Sequence, residues 1–168
     1  MLNNREKLRS ELETNRDTVL QICDALSDEL CRTPLADGQW SVHDLIGHLA
    51  ASEGDTLDHL TQTFQEGRPR PMPPNTTIDD MNKREAAKRK DWSWARVRAE
   101  FVNTRNALIQ RVAQMSESDL QFCVPSPWLN DTRILSLETL MREDVLDHAN
   151  AHLTEIRAWQ KQNPPPQT

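Results

Sequence analysis

The chain has 168 residues, enough for one domain (residues 1–168) that buries a real core, and its formal net charge is −6. Hydrophobic residues make up 36% and charged ones 27%, a balance suited to helices whose outer faces are strongly solvated. There is no apolar run near the ~18 residues of a membrane span. The N-terminus, MLNNREKLRSELE, lacks a secretory core, and an acidic chain is poorly suited to phosphate contacts. The expectation is therefore a cytoplasmic protein with no membrane or nucleic-acid partner.

In the first segment Leu8, Leu12, Asn15, Val19, Ile22, Leu26 and Leu30 recur every three or four residues, which predicts one long amphipathic helix. RTPLADG (residues 32–38) stops it with Pro34 and Gly38. Cys23 falls on the apolar stripe and reads as core. Cys23, Cys31 and Cys123 are odd in number and form no C-x-x-C pair, so free thiols are expected.

The second helix opens at WSVHDL. Ser41 is an N-cap, Asp44 its capping-box partner, and Trp40 with Leu45 a hydrophobic staple. It runs to about Gly67. Gly47, Ala50, Ala51 and Gly54 make a small-residue patch on it, where each interior glycine costs ~1 kcal/mol against alanine, so a packing reason is expected. That reason is either internal or a second copy of the chain, which admits a homodimer.

RPRPMPPN (residues 68–75) cannot be helical and reads as a crossing connection. Thr77 and Asp80 would cap a short helix from Ile78. Lys83 to Arg98 holds seven Lys or Arg, which at helical spacing read as a solvated face rather than a phosphate patch. Trp94, Val97, Phe101, Leu108, Val112 and Met115 mark the third long helix. FCVPSPWLNDTR (residues 122–133) reads as a loop, and the fourth long helix covers about Ser136 to Gln160 before NPPPQT. No strand is expected, and four amphipathic helices predict an all-α four-helix bundle.

DHANAHLTEIRAW (residues 147–159) places His148 and His152 one turn apart. With His148 at zero, Ile134, Met141, Val145, His152, Ile156 and Trp159 fall within roughly 80° of it on a helical wheel. Both imidazoles thus sit in the apolar stripe. An H-x-x-x-H pair on one face is a spacing used by zinc sites, and two adjacent buried neutral imidazoles invite a shared cation. Two satisfied core histidines are the alternative.

Of the remaining histidines, His48 is the best third ligand, on the edge of the arc formed by Leu45, Ile46, Leu49 and Leu57. His43 falls in the exposed first turn and His59 reads as a surface residue. Glu53 lies near the centre of the arc and, being costly to bury bare, needs a partner such as Arg105 or a metal-bound water. It reads first as a structural acid and second as a candidate catalytic carboxylate. His48 and Glu53 point about 140° apart, so they do not share one ion. Asp144 and Glu155 would be acceptors for imidazole N–H groups, or simply solvated acids.

The stretch W-S-x-x-D-L-x-x-H-L-A-A-x-E (Trp40 to Glu53), followed by H-x-x-x-H in the last helix, resembles the DinB/YfiT-like superfamily of four-helix-bundle metalloenzymes. DDMNKREAAKRKDWSWARVRAEFVNTRNALI is similar to the ClbS/DfsB-like branch and to mycothiol-dependent maleylpyruvate isomerases, and HLTEIRAW to the ClbS-like ending. The resemblance implies a metal triad of His48, His148 and His152. Ala149 stands where relatives often have an aromatic, and the chain has no tyrosine, which excludes any mechanism needing a phenol.

The leading expectation is a metal-dependent small-molecule enzyme, a thiol-dependent transferase or isomerase or a hydrolase. Zinc or nickel would be its ion, with a low-molecular-weight thiol as a further cofactor. The alternatives are a metal-free small-molecule binding or resistance protein, its mouth lined by Trp40, Trp92, Trp94 or Trp128, and a dimeric structural bundle.

Overall fold

The computed structural model describes residues 2–73, 75–128 and 131–163; the end of the Pro-rich NPPPQT tail lies outside them. Asn3 caps the first helix, α1 (Asn4–Asp24), with a full capping box to Glu6. The helix ends short of the expected Leu30. Ser27 caps a separate turn, α2 (Asp28–Arg32), which buries Cys31. Ser41 and Asp44 form the capping box of α3 (Val42–Glu66), which ends at Gly67 with φ 78°, the left-handed conformation glycine adopts without strain. Thr77 and Asp80 likewise start α4 (Ile78–Arg89), and Ser93 caps α5 (Trp94–Gln114).

After a single turn, α6 (Glu117–Leu120), the chain forms an antiparallel hairpin that the sequence did not suggest. Strand β1 (Cys123–Pro125) pairs with β2 (Ile134–Ser136), Val124 opposite Leu135. Its inward residues, Val124 and Leu135, are buried, while Ile134 is exposed, so Ile134 is not part of the histidine stripe.

The fourth long helix is also not continuous. It consists of α7 (Leu137–Met141), a π-helical turn (Arg142–Asp147) and α8 (His148–Gln162). Leu137, Met141, Val145, Ala149 and Leu153 are all buried at steps of four. On an unbroken α-helix sixteen residues at 100° each would set Leu137 and Leu153 about 160° apart, on opposite faces. The extra residue of a π-turn takes back about 100° and lets both face the bundle.

The long helices α1, α3, α5 and α7–α8 make the four-helix bundle, with α4 laid against α3. The core is two apolar clusters. One holds Val19, Ile46, Phe101, Leu153 and their neighbours, the other Leu12, Leu60, Leu108 and Met141. Between them along α1, α3 and α5 lies a buried polar layer of Asn15, Glu53, Thr56 and Arg105. Among the described residues no helix is long and apolar enough to cross a membrane.

Candidate metal centre

The capping box at Ser41 fixes where α3 begins, and with it the direction of His48 two turns further on. The π-turn sets the phase of α8, which opens at His148 and carries His152 one turn later. These three imidazoles meet. His48 Nε2 lies 2.9 Å from His148 Nε2, and His152 Nε2 lies 3.1 Å from the same atom. One nitrogen from each ring falls within 4.8 Å of the others. Trp40 leans on the back of His48, its ring centroid 5.0 Å away.

Burial and proximity favour the neutral forms of His48 and His148. Burial, then the neighbouring His148 and His152, push His48 down to about 3. Burial and His152 push His148 down to about 4. His148 Nδ1 lies 3.4 Å from Ser52 Oγ, and its Nε2 faces the other two rings. Glu155 Oε1 stands 3.4 Å from His152 Nδ1 but off-line, so that nitrogen is buried with no hydrogen-bond partner among the described residues.

Ring nitrogens whose lone pairs face one another repel unless a donor or a cation lies between them. Tetrahedral ligands at about 2.05 Å from zinc stand about 3.3 Å apart, close to the spacings seen. The donor set and its spacing therefore fit a divalent ion.

A cavity of about 330 Å³ opens beside His48 and His148. Ile78 and Met81 from α4 and Trp128 from the loop after β1 give it an apolar wall, and Asp55 and Asp144 face into it. Both Asp144 oxygens accept the Trp128 indole N–H, at 3.0 and 2.9 Å, and burial pushes its carboxyl up to about 6. Burial, with the neighbouring Glu85 and Asp58 carboxylates, pushes Asp55 up to about 6 as well. On the other side of the cluster His152 borders a wider groove with Trp40 and Trp159.

The other candidates fall elsewhere. Glu53 is fully buried and bidentate to Arg105, Nε to Oε2 at 2.9 Å and Nη2 to Oε1 at 2.5 Å, the partner the sequence suggested. It does not border the cavity. His43 is not exposed as expected. It is 2% accessible, its Nε2 3.0 Å from the Trp92 carbonyl, because the turn after α4 folds over the start of α3. His59 is half-buried rather than on the surface, edge-on to Trp128 with 5.4 Å between centroids, and burial lowers its pKa.

Among the described residues the Asp144 carboxylate accepts from Trp128 and not from an imidazole. Of the tryptophans, Trp128 lines the cavity, Trp94 is core, and Trp92 lies under the Arg96 guanidinium at 3.6 Å. The small-residue patch is divided. Gly47 lies beneath the Arg89 side chain, Ala50 is in the core, Ala51 lines the cavity, and nothing stands within 4 Å of a Cβ placed on Gly54.

The basic stretch is only in part a solvated face. Arg89 is buried between Glu85 and Glu100, and Arg98 pairs with Asp24. Sequence reasoning missed Asp55, although it lies seven residues past His48 and so within about 20° of it on a helix.

A bundle whose last helix pairs two histidines against a third from α3 defines a recognisable class. The chain belongs to the DinB superfamily, whose family model matches residues 11–156. No curated protein matches it in sequence.

Its fold resembles YfiT from Bacillus subtilis, a protein described as a probable metal-dependent hydrolase with an unusual four-helix bundle topology (TM-score 0.78, 18% identity, covering 96% of this chain and 90% of that one). It also resembles the colibactin self-resistance protein ClbS, solved in complex with double-stranded DNA (0.73, 13% identity, 94% and 95%). A third similar structure is a mycothiol-dependent maleylpyruvate isomerase (0.73, 12% identity, 92% of this chain and 61% of that one).

Proposed function

We propose that the protein is a metal-dependent enzyme acting on a small molecule in the cavity, with His48, His148 and His152 holding one zinc or nickel ion through Nε2. The observation that carries this reading is the convergence of three imidazoles, two of which border a cavity. An ion held there would supply Lewis acidity and would lower the pKa of a bound water or thiol. Hydrolysis and thiol-dependent transfer or isomerisation are the reaction classes of choice, by analogy with the YfiT and maleylpyruvate isomerase structures.

The chain's own residues prepare the rest. Ser52 orients His148, and Trp40 braces His48. The Asp144 carboxyl, near 6 and fixed by Trp128, is placed to hold or release a proton at its Oδ atoms close to neutral pH. Trp128, Ile78 and Met81 give the cavity an apolar wall. We assign Glu53 to pairing with Arg105 rather than to chemistry, since both its oxygens are taken.

Elemental analysis of protein purified without an affinity tag tests the centre directly. Near-stoichiometric zinc or nickel is expected, removable by a chelator and abolished in His148→Ala and His152→Ala. Absence of metal, with thermal stability unmoved by added zinc or nickel, would sink the reading.

A further inference from the structure

The cavity beside the histidines carries charge of one sign. Asp55, Glu85, Glu143 and Asp144 border it, and among the described residues that line it there is no lysine or arginine. Three of these carboxylates have partners. Arg89 Nη1 lies 2.5 Å from Glu85, Arg133 Nη2 lies 2.9 Å from Glu143, and Trp128 donates to Asp144. Asp55 is different. Among the described residues no hydrogen bond or ion pair reaches it, and charges of both signs act on it, Glu85 and Asp58 outweighing Arg89 and Lys88.

Asp55 is half-buried and points at space walled by Trp128, Ile78 and Met81. A carboxylate beside an aromatic wall is the pair of features that holds an organic cation. An anionic substrate would instead meet the unpaired Asp55 carboxylate. Nor is Asp55 placed to serve the histidines. It lies seven residues beyond His48 on α3, about 10 Å of helical rise, and its oxygens are outside the convergent group.

We propose that the cavity selects small molecules bearing an ammonium or guanidinium group, with Asp55 as the counter-charge and Trp128 as the face the cation packs on. The selection concerns the end of the cavity away from the histidines. It rests on the metal reading only for what reacts at the other end.

Three isosteric probes test it: benzylamine, benzyl alcohol and benzoate, titrated by calorimetry and by ligand-observed NMR into the protein as purified, with metal content measured on the same sample. Benzylamine is expected to bind about tenfold or more tightly than benzyl alcohol, and benzoate more weakly than either. Asp55→Asn should erase the preference for the amine, and Asp55→Glu should keep part of it.

The proposal is overturned if benzylamine shows no preference or no binding at millimolar concentration, if benzoate matches it, or if Asp55→Asn leaves the preference intact. It also fails if Asp55→Asn weakens zinc binding and spares the amine, since the carboxylate would then be a counter-charge for the ion. Should the Asn variant misfold, the ranking of the three probes on the parent decides alone. An amine preference in protein that binds no metal keeps this inference and removes the metal reading. Bound metal without an amine preference does the reverse.

Discussion

Replacing Arg105 by Met keeps most of its volume and removes its charge. Arg105 is the largest fully buried side chain and donates to both Glu53 oxygens, to Asn15 Oδ1 at 2.7 Å and to the Leu12 carbonyl at 3.3 Å. Without it the Glu53 carboxylate is left unpaired in the core, a loss of about 3–5 kcal/mol. For a chain of this length that lowers the melting temperature by roughly 6–20 °C.

The deficit has a defined pH dependence. Burial pushes the Glu53 carboxyl upward against the pull of Arg105, and removing the arginine lets it rise further. The folded variant then holds a proton that the unfolded chain releases above about 4.3. Stability therefore recovers as pH falls through the raised folded value, and the gap between variant and parent narrows from pH 8 toward pH 5. Urea unfolding at the two pH values reads this.

Removing both partners, Glu53→Met with Arg105→Met, should regain most of the loss, because no lone charge remains. Metal content should be unchanged in that double variant. A single-variant loss below about 1 kcal/mol, or a double variant no more stable than the single one, would refute the reasoning.

Three further outcomes are expected. Gly47→Ala sets a Cβ 2.9 Å from Arg89 Cδ, and Arg89 is pinned by Glu85 and Glu100, so about 1–3 kcal/mol is lost; Gly54→Ala meets nothing and gains up to about 1 kcal/mol of helix propensity, giving thermal shifts of opposite sign. In metal-free protein His48 and His148, held near 3 and 4, stay neutral where the unfolded chain takes up protons. Stability should then fall as pH drops from about 6.5 toward 4, and a flat profile in calorimetric melts would contradict this. Cys23 and Cys31, buried and pushed up to about 12, should resist iodoacetamide in the native state while exposed Cys123 reacts, as peptide mass mapping would read.

The bundle was legible because amphipathic periodicity and caps are local. Asn15, Ser41, Asp44, Thr77 and the stripes of α1, α3 and α5 stand where spacing put them. His48, His148 and His152 were legible for the same reason, each lying on or beside a stripe. What escaped depends on contacts distant in sequence. The hairpin rests on three residues per strand and on pairing across a loop. His43 is covered by the Trp92 carbonyl, 49 residues away, and His59 by Trp128. The π-turn escaped because a wheel assumes one pitch throughout.

That turn separates two settings along one helix. The hairpin end and the histidine end each keep their own rotation about the axis, joined by a single residue of slack. Substitutions that reshape the loop wall carrying Trp128 need not retune the angle at which His148 and His152 present their nitrogens. A scaffold built this way can exchange what it admits while keeping how its last helix presents its imidazoles.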